Sequence, residues 1–323
     1  MRILFPCCLL SGFLLWTISI AWCEQDTRQT KRPNSNARPT RAEPPGSWDP
    51  ATEKLFQGDP FQAVRGSRPE KNTAIPSASE STVPQRGASG LVPWPKLISE
   101  ATITDEIKNL QPEVAQNVRR PGTFKAGGNR KVEKQFAVIA AMFGIVAEYG
   151  EPIRWQAVSS GARDAFARAA ANAKVGSQNA YQESRTRFED LEELIRGGTV
   201  EFETTKSEES GVWSRLIERR LLMQRIERAD KERIKPWIAN ESEFKQNRES
   251  LLHEAEMIAA LAEIFYQKEY EFYDDDDFVA YCKQLQKQAQ ELARAIKNQN
   301  LPAVQKLYGE ISKTCSACHE GYK

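Results

Sequence analysis

Excess charge of either sign is missing from this sequence: 45 lysines and arginines face 44 aspartates and glutamates, a formal net charge of +1. That balance gives no reason to expect nucleic acid as a partner, and no large single-sign field exists to steer one. Proline nearly vanishes after residue 122, beyond which only Pro152, Pro236 and Pro302 remain of 17. Cysteine is scarce too. Of six, Cys7, Cys8 and Cys23 lie at the apolar start, Cys282 stands alone, and only Cys315 and Cys318 form a close pair. This is no disulfide framework. No nucleophile–base set or carboxylate pair stands out, so an enzyme is not expected.

What is present begins with a leader. Met1-Arg2 is a short positive start, residues 3–22 are almost wholly apolar, and Ala21-Trp22-Cys23 places small residues at a cleavage site. Residues 1–23 are expected to be a signal peptide, which implies a periplasmic or otherwise exported protein. The alternatives are an uncleaved membrane anchor and a lipidated Cys23, against which bulky Trp22 argues. Residues 24–128 are rich in Pro, Ser, Thr, Arg and Gly and show no sustained periodicity. Such a stretch buries too little apolar surface to offset its ordering entropy and is expected to be a disordered tether. Short apolar islands at 91–94 and 98–107 are its places for local docking.

From Lys131 apolar residues recur at spacings of three and four. Helices are predicted near 131–149, 154–174, 178–197, 212–233, 241–269, 276–297 and 301–320. No alternating strand pattern competes, so residues 129–323 are expected to be an all-α helical bundle. An internal repeat is visible. Val138-Ile139-Ala140-Ala141 with Ile145 matches Met257-Ile258-Ala259-Ala260 with Ile264, 119 positions on. Trp155, Lys174, Ala180 and Phe188 fall opposite Phe278, Lys297, Ala303 and Ile311, 123 positions on. Glu192 to Arg196 then occupies the place of Cys315 to His319, so 129–200 reads as a copy of 201–323 that lacks this Cys-Cys-His set.

The chain ends Thr314-Cys315-Ser316-Ala317-Cys318-His319-Glu320-Gly321-Tyr322-Lys323. C-x-x-C-H is the attachment signature of c-type haem. On a helix, residues three and four apart share a face, so Cys315 and Cys318 can each bond one vinyl group while His319 lies under the iron. A thioredoxin-like dithiol would need its pair at a helix start after a strand. A zinc site would need a fourth ligand beside Cys315, Cys318 and His319, with Cys282 as the one thiol left.

This ending resembles class II cytochromes c, the cytochrome c-prime group. Cys315-Ser316-Ala317-Cys318-His319 close to the terminus, then Tyr322 and Lys323, fits the group's ending, and residues 278–297 with the link Asn298-Gln299-Asn300-Leu301 are similar to its third helix and following turn. The resemblance implies a four-helix bundle carrying haem c, extended here by further helices. It also implies a sixth iron position that is empty or filled by a methionine of the first helix. Met257 and Met223 are the candidates, Met257 foremost, with His253 as a bis-histidine alternative.

Smaller features have plainer readings. Asp274 to Asp277 suit a helix start. Phe265, Tyr266, Tyr270, Phe272 and Tyr273 suit the core or a haem wall, Cys282 a buried apolar site, and Glu218 to Lys235 a solvated helix face. The expected function is electron transfer with a redox partner protein. Binding of a diatomic gas (nitric oxide or carbon monoxide) and a helical structural protein stapled by haem are the alternatives, and a homodimer is left open.

Overall fold

The computed structural model describes residues 92–202 and 211–322, and every regular element among them is helical. The leader, and the tether as far as residue 91, lie outside the described residues. No helix among the described residues is long and apolar enough to cross a membrane.

The first described element corrects the tether. After the single turn α1 (Trp94–Leu97), helix α2 runs over Glu100–Val118 inside the stretch expected to be disordered. Its buried face, Ile103, Ile107, Leu110, Val114 and Val118, steps by three and four, so the helix has a core-facing stripe. The Ser99 side chain caps its start by accepting from the Thr102 N–H. Pro112 is tolerated because it and Lys108, whose carbonyl it leaves without an intrahelical donor, both face solvent. Composition had outweighed that stripe.

Past Pro121 and a π-helical turn at Phe124–Gly128, α3 covers Asn129–Ala147, α4 Ser159–Ala173 and α5 Gln178–Arg196. Gly197 ends α5 at φ 91°, a left-handed conformation that glycine adopts without strain. The second series opens with α6 (Trp213–Leu216) and α7 (Arg219–Arg228), which continues through a π-helical stretch, Ala229–Ile234. The short α8 (Glu241–Gln246) leads to α9 (Arg248–Phe265), α10 (Asp276–Lys297) and α11 (Leu301–Gly321). Asp275 caps α10, accepting from the N–H groups of Asp277 and Phe278, and Asn300 caps α11. The acidic run thus serves a helix start, as expected.

Two four-helix bundles result. In the first, α2 packs on α3 and α5, and α4 on α3 and α5; in the second, α9 packs on α7 and α10, and α10 on α11. The repeat is therefore longer than α3–α5 against α9–α11. Trp94-Pro95-Lys96-Leu97-Ile98 recurs as Trp213-Ser214-Arg215-Leu216-Ile217, again 119 positions on. Tyr149 donates its hydroxyl to the Ile98 carbonyl at 2.9 Å, and Tyr270 donates likewise to that of Ile217.

The bundles meet reciprocally. Element α1 of the first packs on α9 of the second, while α6 of the second packs on α3 of the first; α2 touches α9 as α7 touches α3. Gly144 of α3 gives α6 its room, since a Cβ there would stand 3.0 Å from both the Trp213 ring and Leu216. Equivalent residues touch each other where the pattern folds back on itself. The rings of Trp94 and Trp213 lie 5.5 Å apart, and Glu106 pairs with Arg225 at 2.7 Å. This is the pattern of an isologous interface, drawn within one chain.

The expected solvated face over 218–235 is corrected by the same contacts. Leu221, Leu222, Arg225, Ile226, Ala229 and Ile234 are buried, because α7 is wedged between its own bundle and the other one.

Candidate haem site

Helix α11 carries Cys315, Cys318 and His319 on its last turns, and all three line one cavity of ≈ 380 Å³. The other walls come from Met223 and Ile226 of α7, Phe265 of α9, and Phe278, Cys282 and Leu285 of α10. The site is thus built between four helices, as in helical bundles generally. Cys318 is buried, Cys315 is half-buried and His319 stands exposed at the rim. Burial pushes the Cys315 thiol up to about 11 and the Cys282 thiol up to about 12. Both are then neutral thiols in an apolar setting rather than reactive thiolates.

Hydrogen bonds fix the end of α11. Thr314, one residue before Cys315, donates to the Gln288 side chain of α10 at 3.0 Å. Tyr308 donates to Asp230 in the π-helical stretch at 2.7 Å, and burial together with that carboxylate pushes its hydroxyl up to about 12. Tyr322, three residues past His319, donates to the capping carboxylate of Asp275 at 2.6 Å. Its ring sits edge-on to Phe272 and Phe278, at 5.2 Å from each. The residues flanking His319 are thus held by α10 and its cap, and the first half of α11 by the π-helical stretch that follows α7. Glu227, Asp230 and Lys231 give the mouth its charge.

These residues fit a haem. Two thiols one helical turn apart and an imidazole on the next residue face a pocket with apolar walls and few polar groups. Among the described residues, no three His, Cys, Asp or Glu side chains converge to hold an ion, so Cys282 does not complete a zinc tetrahedron with the pair.

The structure brings together Cys315, Cys318, His319 and Met223, and leaves Met257 out. Met257 is fully buried in α9 but does not line the cavity. The α9 residue that does, Phe265, lies eight positions on, roughly 12 Å along and 80° around the helix. His253 is also elsewhere: its Nε2 lies 2.8 Å from the Glu106 carboxylate, between the bundles. Of the aromatic run 265–273, Phe265 walls the cavity and Phe272 supports Tyr322, while Tyr270 spends its hydroxyl on α6 backbone. Ile226 and Asp230 were missed in the sequence. Their only signal was their spacing from Met223, three and seven residues on.

The first bundle differs at the matching positions. Glu192, Ile195 and Arg196 stand where α11 has Cys315, Cys318 and His319. Phe136, Phe143 and Phe166 fill its interior, with Phe166 5.3 Å from Phe136 and 5.8 Å from Phe143. The second bundle has Ala255, Ala262 and Ala289 at those places.

A compact bundle that closes four helices over an attachment motif defines the class: a helical protein built to hold c-type haem. Residues 266–323 match the family model described as Cytochrome C'. The match agrees with the resemblance of the ending to class II cytochromes c and indicates covalently bound haem c with its iron. No curated protein matches the chain, and no solved structure does.

Proposed function

We propose that the chain is an exported c-type cytochrome that carries one haem and passes single electrons to a partner protein. The observation that carries this reading is the convergence of Cys315, Cys318 and His319 on an apolar cavity that Met223 of α7 also lines. Cys315 and Cys318 would hold the porphyrin edge through two thioethers, and His319 would ligate the iron. When bound, the group supplies reversible one-electron chemistry at iron. The chain's own residues set the conditions. Phe265, Phe278 and Leu285 keep water from the cavity, and Asp230 puts negative charge at its mouth, where Glu227 is paired with Lys231. Met223, which lines the cavity, would fill the sixth position in preference to Met257, which does not. The apolar leader supports export.

The test is the visible spectrum of the full chain, oxidised and reduced, with and without carbon monoxide. A low-spin spectrum that carbon monoxide leaves unchanged supports electron transfer, and Met223→Leu should then convert it to high-spin. A high-spin spectrum that shifts with carbon monoxide overturns electron transfer in favour of gas binding.

A further inference from the structure

Helix α7 has two working faces. Met223, Ile226 and Glu227 line the cavity. On its other side three guanidinium groups reach carboxylates of the first bundle: Arg220 to Glu133 at 2.7 Å, Arg225 to Glu106 at 2.7 and 2.9 Å, and Arg228 to Glu113 at 2.6 and 3.0 Å. The middle pair is the most enclosed, with side-chain exposures of 4% for Arg225 and 3% for Glu106. Arg225 also holds Glu254 of its own bundle at 2.7 Å.

Helix α7 is not set by its own backbone alone. It breaks from α6 at extended Ile217 and, after 10 residues, gives up regular α-helical bonding for the π-helical stretch Ala229–Ile234. A π-helical stretch inside a helix shifts the register of its faces, so lateral contacts decide where the cavity face points. The Arg225 fork, two positions from Met223, sets both its rotation and its height. Glu106 and Arg225 occupy the same place in the two repeats, 119 positions apart. Two identical bundles meeting this way would set like charge against like; here the copies have diverged into a complementary pair.

We infer that the haem-free bundle serves as a clamp for the haem-facing helix, and that Glu106 is its positioning residue, holding Arg225 so that Met223 faces the iron. The inference rests on the reading of Met223 as the sixth ligand. It gives the first bundle a task that its lack of a haem motif leaves open.

The test is Glu106→Gln in the full chain, read by the spin state of the iron and by the rate of carbon monoxide binding to the reduced protein. Expected are one haem per chain, an intact helical signal, a gain of high-spin signal, and carbon monoxide binding about tenfold faster, equivalent to ~1.4 kcal/mol. Glu106→Asp, which keeps the charge, should return most of the low-spin signal. Should Glu106→Gln not accumulate, Glu113→Gln releases Arg228 from the same helix and should move both readouts in the same direction, less far. Unchanged spin state and rate in whichever variant is measured would overturn the inference. Met223→Leu separates the two layers. If it alters the spectrum while the glutamate variants do not, the clamp fails and the ligand reading stands. If it alters nothing, the ligand reading fails and the clamp falls with it.

Discussion

Replacing Arg225 with Met removes four hydrogen bonds and leaves two buried carboxylates, Glu106 and Glu254, without their shared partner. Breaking a buried ion pair from one side costs roughly 3–5 kcal/mol, because the surviving charge stays desolvated. Neither carboxylate is wholly abandoned, since His253 remains 2.8 Å from Glu106 and Arg233 pairs with Glu254. The lower end, ~3 kcal/mol, is therefore expected at neutral pH. The pH dependence has a definite sign. Burial works against ionisation of Glu106, but Arg225 and His253 outweigh it and hold the carboxyl well below its ordinary value of 4.5. A carboxyl depressed in the folded state contributes stability that is present above its unfolded value and lost as the pH falls through the folded one. Below 4.5 the parent chain loses stability that Arg225→Met never had, so the gap between them narrows in acid. Urea unfolding followed by far-ultraviolet circular dichroism, at neutral pH and in acid, measures both. A gap under about 1 kcal/mol at neutral pH, or a gap that acid does not narrow, would refute the account of the cluster.

Cys315→Ala with Cys318→Ala should abolish covalent attachment, so that acidic acetone strips all haem and the chain weighs no more than its polypeptide. His319→Ala keeps both thiols. It should sharply lower matured holoprotein and alter the spectrum of whatever forms; normal yield with an unchanged spectrum would reject His319 as a ligand. A chain that begins at residue 129 lacks α1 and α2, hence Trp94 and Glu106, and should lose cooperative unfolding by circular dichroism. Retention of a sharp transition would mean that α2 does not belong to the bundle.

Legibility in the sequence followed the range of the interactions. Helices α3, α4, α5, α10 and α11 were readable to within a few residues, because periodicity and caps such as Gly197 and Asp275 act locally. The attachment motif was readable for the same reason, since its chemistry sits within five consecutive residues. Helix α2 was not, although Ile103, Ile107, Leu110, Val114 and Val118 carry its stripe, because the prolines around it resembled those of the preceding stretch. The far wall of the cavity was out of reach. Met223 and Met257 are both helical methionines, and only the cavity that α7 shares with α10 and α11 decides between them. The Glu106–Arg225 pair was hidden too, being joined by the meeting of two repeats rather than by any local pattern.

The repeat yields one more prediction, about volume. Phe143 in the first bundle rests 5.9 Å from Trp155, and the residue matching Trp155 in the second bundle is Phe278, a wall of the cavity. The residue matching Phe143 is Ala262, fully buried. A phenylalanine at 262 would therefore direct its ring towards Phe278, into space that the apolar wall leaves open for the cofactor. Ala262→Phe should lower the yield of holoprotein while the helical signal of the chain persists, because the first bundle shows that this fold accepts a ring at that position. Insertion of a ring into a filled core ordinarily costs ~1–3 kcal/mol, so an apoprotein no less stable than the parent apoprotein would mark the space as empty before attachment. Haem content, read from the absorbance of the matured chain against its mass, decides the matter. Full haem loading with an unaltered spectrum would show that Ala262 does not face the site and that the two interiors are not equivalent.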